Sequence, residues 1–148
     1  MNRPPARVII DASALLPYWL PEPLSAASIH VVGGSALCAP SLIYFEAGNI
    51  LWKSVTRGFI GIEQARQAQR DIHDLSIELI EDIQLPSLTL EIAHTYQISF
   101  YDAAYVAIGK LLVLPLITAD QRLIRAMTGT GHQLIALEDF MPTLAGEE

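Results

Sequence analysis

The sequence predicts an α/β fold in which a mostly parallel sheet is covered by helices on both faces. Two observations lead there. Short strand-like runs at residues 8–11, 36–39, 77–80, 116–118 and 133–137 alternate with longer helical stretches, the pattern of parallel strands joined by helical crossovers. Acids also stand where the first and fourth runs end, Asp11 and Asp120, and open α/β sheets collect ligands outside the carboxyl ends of their strands.

Each element has a local reason. Residues 8–11 are short and β-branched, a buried strand by length and composition. A helix over 13–20 is stopped by Pro21 and Pro23, and a second over 22–32 ends at Gly33-Gly34. After the strand at 36–39, Pro40-Ser41 opens a long helix from 42 to about 57, with Ser41 as its expected N-cap, ending at Gly58. Residues 62–76 form a polar helix rich in Gln and Arg. Residues 77–80 are a strand, and 85–97 a helix entered through Pro86 and Ser87. A helix over 100–112, a strand at 116–118 and a helix over 120–127 follow. Gly129 to Gly131 turn the chain into the last strand, 133–137. No repeat or linker interrupts the 148 residues, so they read as one domain, with 140–148 a loose acidic tail.

Composition narrows the function. Hydrophobic residues make up 51% and mean hydropathy is +0.35, a surplus that predicts a homodimer or a protein partner. No apolar run approaches the roughly 18 to 20 residues of a membrane span, since Lys110 and Pro115 interrupt the best stretch. Asp11 breaks the apolar run after Arg3 and Arg7, making a poor signal peptide. The single cysteine, Cys38, excludes an intramolecular disulfide and a multi-cysteine zinc site, and fits the cytoplasm. A net charge of −7 argues against a protein that coats nucleic acid with cations, yet leaves room for one that reaches phosphates through a metal. Lys53, Arg57, Arg66 and Arg70 form either a solvated face or a strip for a phosphate backbone.

Four acids are the candidate chemistry. Asp11, Asp102 and Asp120 each have a structural alternative: Asp11 and Asp120 as helix caps, and Asp102 in a capping box with Ser99. Glu46 sits in an apolar helix, on one stripe with Asn49, Lys53 and Arg57. Facing water, it is an ordinary surface acid. Facing the strand ends, Glu46 and Asn49 offer hard oxygen ligands. Clustered carboxylates raise one another's pKa and destabilise a fold. A divalent cation relieves this, and Mg²⁺ takes oxygen ligands while retaining waters suited to phosphodiester hydrolysis. Ser13 and Thr118, each two residues from an acid, can orient a water or a carboxylate. Trp19, Phe45 and Trp52 read as core or interface aromatics. Tyr101 and Tyr105 read as packing residues or as stacking platforms for bases.

With these residues in view, VIIDASALL, SLIYFEAGNIL, YDAAYVAIGKLL and LITAD resemble the PIN domain, and in order and spacing the VapC-type ribonuclease toxins of toxin–antitoxin pairs. The resemblance spans nearly the whole chain. It implies a three-layer α/β/α sandwich with strand order 3-2-1-4-5. It maps the metal-binding acids onto Asp11, Glu46, Asp102 and Asp120, with Ser13, Thr118 and Asn49 in support. It further implies Mg²⁺- or Mn²⁺-dependent endoribonuclease activity on RNA, usually from a homodimer, and a cognate antitoxin in the acidic groove. Residues 42–76 would be the arm for dimer or antitoxin contacts. A receiver domain would require a second acid beside Asp11, and a haloacid-dehalogenase-type phosphatase Asp-x-Asp where this chain has Asp11-Ala12-Ser13. The alternative of a different class is a non-catalytic module whose acidic groove binds a basic peptide.

Overall fold

In the computed structural model, which describes residues 2–143, five strands form one parallel sheet in the order β3-β2-β1-β4-β5. The strands are β1 (Arg7–Ile10), β2 (Ala36–Ala39), β3 (Ile77–Leu79), β4 (Leu116–Thr118) and β5 (Leu134–Ala136). The helices are α1 (Ala12–Leu15), α2 (Ser25–Gly34), α3 (Leu42–Thr56), α4 (Ile62–Asp74), α5 (Leu85–Tyr96), α6 (Phe100–Leu112) and α7 (Gln121–Met127). Connections run outward from β1 to β2 and β3, then return across the sheet to β4 and β5. Right-handed crossovers therefore put α1 to α4 on one face and α5 to α7 on the other. The packing agrees, with α3 against α4 and α1, and α6 against α5, β1 and β4. The direction reverses between β1 and β4, so the ligand crevice of this sheet lies at their carboxyl ends. This strand order also separates the fold from the 2-1-3-4-5 order of receiver domains.

The core is centred on β1. Val8, Ile9 and Ile10 have no exposed surface, and Leu15, Ile43, Ile108 and Ile117 are likewise fully buried around them. Each such side chain contributes roughly 1.5–3 kcal/mol by leaving water. The register Ile9↔Cys38 on one side and Ile9↔Leu116 on the other fixes how far β1 and β4 project. Their ends, and so Asp11 and Asp120, reach the same edge.

Four sequence expectations need correction. The helix over 13–20 is a four-residue α1 followed by a 3₁₀ turn, Leu16–Tyr18, because Pro17 has no N–H to continue the α ladder. The second helix begins at Ser25, not 22, and runs through Gly34 before Ser35 turns extended. Ser41 is not a side-chain cap: its own backbone is helical, and the turn already begins with Ile43 N donating to Pro40 O at 3.0 Å. Phe45 and Trp52 are not core residues but are 81% and 62% exposed, so only the interface reading survives for them. Trp19 packs against the core while its Nε1 donates to Asp71 at 3.2 Å. The last element is a 3₁₀ turn, Leu137–Phe140, and the acidic tail beyond residue 143 lies outside the described residues.

Two helices end on left-handed residues, Gln97 after α5 and Val113 after α6, and the strain falls on the β-branched one. Val113 follows α6 at φ 55° and ψ 49°, a left-handed conformation costly for a β-branched residue. It is accepted because the Val113 and Leu114 N–H groups both close on Gly109 O. The Val113 side chain is exposed, so Val113→Gly relieves the strain without leaving a cavity. The variant is expected to gain about 1 kcal/mol in urea unfolding; an unchanged or lower midpoint would show that the turn is relaxed.

Candidate active site

A groove of about 180 Å³ opens at the carboxyl edge of the sheet, and Asp11, Glu46, Asp102 and Asp120 all line it. Ser13, Asn49 and Tyr105 line it too. Each acid arrives on a different element. Asp11 leaves β1 and caps α1, accepting from Ala14 N at 3.1 Å. Glu46 lies in the second turn of α3. Asp102 is in the first turn of α6, where Ser99 Oγ accepts from its N–H at 3.0 Å. Asp120 leaves β4 and caps α7, its Oδ1 accepting from Arg122 N and Leu123 N. Asp11 and Asp120 are therefore helix caps, Asp102 takes part in the half of the capping box in which Ser99 Oγ accepts from its N–H, and the same residues also meet in one groove. A larger cleft, about 320 Å³, lies toward the amino ends of β4 and β5 beside Lys110 and His132, and no acid lines it.

Asp11 is the most deeply set. Ser13 Oγ donates to its Oδ1 at 2.6 Å, and Thr118 Oγ1 donates to its Oδ2 at 2.5 Å. These hydroxyls are themselves held: Ala119 N donates to Ser13 Oγ at 2.9 Å and Asp120 N to Thr118 Oγ1 at 3.1 Å. The chain after β4 thus locks the carboxylate at the end of β1. Asn49 lines the groove one turn after Glu46, whereas Lys53 and Arg57, further along the same stripe, are exposed. Arg66 pairs with Glu63, and Arg70 donates to Gln67.

The electrostatics run as a chain across the groove. Burial pushes the Asp11 carboxyl up to about 6, against the three hydrogen bonds that favour its ionised form, and the Glu46 charge adds to the rise. Burial also raises Glu46, opposed by a hydrogen bond from Tyr105 and reinforced by Asp102. Burial raises Asp102 in turn, opposed by Ser99 and reinforced by Asp120. Glu46, Asp102 and Asp120 thus each disfavour ionisation of the next carboxylate toward Asp11, as clustered like charges do.

The polar lining is carboxylate, amide and hydroxyl, with no cysteine or histidine in the groove. Among the described residues, no three Asp, Glu, His or Cys side chains approach closely enough to enclose an ion on their own. That openness, among the described residues, is not the geometry of a closed four-ligand zinc cage. It is compatible with Mg²⁺, which is held by one or two carboxylates and keeps several waters. The residues present fit a hydrated hard cation.

Sequence reasoning missed Tyr105 as a member of this site. It is 1% exposed, and its hydroxyl donates to Glu46 Oε1 at 2.5 Å. Burial, followed by the adjacent Glu46 carboxylate, holds the phenol far above its ordinary range, so it acts only as a donor. Burial also rules out stacking on a base. Its position one turn after Asp102 on the same helix face is visible in the sequence, but it fits a packing residue equally well. Tyr101, by contrast, is exposed.

A sequence model of the PIN domain matches residues 8–127. Ribonuclease VapC1 of Mycobacterium tuberculosis is 32% identical over 123 residues, covering 80% of this chain and 89% of that one. Exonuclease VapC9 of Pyrobaculum aerophilum is 27% identical over 97% of this chain and 99% of its own length. Among solved structures, PAE2754 from Pyrobaculum aerophilum superposes with a TM-score of 0.67 at 27% identity, covering 90% of this chain and 92% of that one.

Proposed function

The chain belongs to the PIN-domain family, and from that premise we propose that it is a Mg²⁺- or Mn²⁺-dependent endoribonuclease acting as the toxin of a toxin–antitoxin pair. The observation that carries this reading is the meeting of four carboxylates from four elements in one groove, three of them raised by burial and by the charge of a neighbouring carboxylate. A fold bears such a cost when a cation is to neutralise it.

Asp11, Glu46, Asp102 and Asp120 would surround a hydrated cation, with one or two of them as direct ligands and the others acting through its waters. When bound, it supplies a water of lowered pKa and charge to offset that developing on the phosphate. The remaining work falls to the chain. Ser13 and Thr118 fix both oxygens of Asp11, so that this carboxylate does not swing as substrate enters. Asp120 uses Oδ1 for its cap and keeps Oδ2 for the groove. The Asn49 amide stands beside Glu46 to contact a phosphate or a water. The apolar residues exposed on α3, α4 and the loop between them (Phe45, Trp52, Phe59 and Ile62) support the seating of an antitoxin or a second copy there, because such patches mark interaction surfaces.

The test uses the purified chain with linear and circularised single-stranded RNA, in Mg²⁺, in Mn²⁺ and in chelator. Cation-dependent opening of the circle is the expected result. Degradation of linear RNA alone would make the protein an exonuclease. No cleavage of either substrate would favour the peptide-binding module.

A further inference from the structure

Tyr105 and Glu46 come from helices on opposite faces of the sheet, α6 and α3, and meet over its carboxyl edge. The phenol is almost fully buried, and a hydroxyl in that position is costly unless it is bonded. Its partner is a groove carboxylate. Asp102 lies one turn before Tyr105 on α6, so this bond also ties the Glu46 wall of the groove to the Asp102 wall. It occupies Glu46 Oε1 and leaves Oε2 for a ligand. We propose that Tyr105 is a positioning residue of the cation site, holding Glu46 in the groove and setting the spacing between Glu46 and Asp102.

This inference rests on the metal-site reading of the groove and adds a residue to it that makes no contact with the cation. Outer partners of this kind orient ligand carboxylates, and their loss characteristically weakens metal binding by about 10–100-fold.

The experiment measures Mn²⁺ affinity directly, by electron paramagnetic resonance of the free ion, with no RNA present. Native chain, Tyr105→Phe, Glu46→Ala and the double variant are compared, and thermal melting checks that each is folded. Phe keeps the ring and its packing, so only the hydroxyl is tested. The expected result is Mn²⁺ binding about 10–100-fold weaker in Tyr105→Phe, and little further loss when Tyr105→Phe is added to Glu46→Ala, which has no acceptor for the hydroxyl. A purely structural role would instead weaken binding equally in both backgrounds, overturning the proposal. Native-strength binding by Tyr105→Phe would overturn it as well, while leaving the metal site intact. Failure of the native chain to bind Mn²⁺ would overturn the metal-site reading and the role of Tyr105 together.

Discussion

Asp11→Asn is expected to melt at a higher temperature than the native chain when no divalent cation is present, and to gain nothing when Mn²⁺ is added. The carboxyl is buried, and its folded value of about 6 stands above its ordinary 3.8. A raised folded value means that the native state binds the proton more tightly than the unfolded chain. The penalty is therefore absent below the unfolded value, grows as pH rises between the two, and is complete above the folded one. At neutral pH it amounts to about 3 kcal/mol. An amide carries no charge and removes it. The net gain should be about 2 kcal/mol, because Asn accepts at one atom only and must rearrange its bonds with Ser13 and Thr118. In the native chain, Mn²⁺ at 100 times its dissociation constant should add about 2.7 kcal/mol; in Asp11→Asn that response and RNA cleavage should both vanish. A lower melting temperature for the metal-free variant would show that the hydroxyl clamp matters more than the buried charge. An undiminished Mn²⁺ response would remove Asp11 from the cation site.

The reason this site was legible in the sequence is topological. Asp11 and Asp120 directly follow strands whose apolar runs are short and well bounded, and neighbouring parallel strands bring their carboxyl ends to one edge. Asp102 could be placed because Ser99 marks where α6 begins. Glu46 depended on which way one stripe of α3 faces, a question of packing that periodicity leaves open, and the structure turns it inward. Tyr105 was not legible. Its ring has the helical spacing of an ordinary core residue, and only the meeting of α3 with α6 over the sheet edge gives its hydroxyl a partner. The missed boundaries have local causes. Pro17 sits inside an otherwise helical pattern and converts its end to a 3₁₀ turn, and the carbonyl of Pro40 takes the first-turn bond that Ser41 was expected to cap. The exposure of Phe45 and Trp52 depends on what covers α3, which lies outside a single chain's own periodicity.

Thr118→Val is expected to destabilise the metal-free protein by about 3 kcal/mol at neutral pH and above, with a much smaller effect in acid. The hydroxyl is fully buried and does two things at once: it donates to Asp11 Oδ2 and accepts from Asp120 N. Val preserves the volume, so no cavity forms and the loss is that of hydrogen bonds. A bond to an ionised carboxylate contributes roughly 1.5–3 kcal/mol, and the Asp120 N–H left without its acceptor adds to the deficit. The sign with pH follows from which form of Asp11 the bond prefers. Thr118 lowers the Asp11 carboxyl against burial, so removing it moves the folded value above about 6. The part of the deficit due to Asp11 therefore opens as pH rises through the native value, and is lost as pH falls through it. Urea unfolding near about pH 5 and about pH 8 reads this difference directly. A deficit equal at the two values would mean that Thr118 acts through the Asp120 N–H and not through the Asp11 charge. Cleavage of RNA should fall about 10–100-fold in the same variant, because Asp11 and Asp120 lose the one side chain bonded to both. If cleavage survived while stability fell only at high pH, the hydroxyl would serve the buried charge and not the alignment of the two acids.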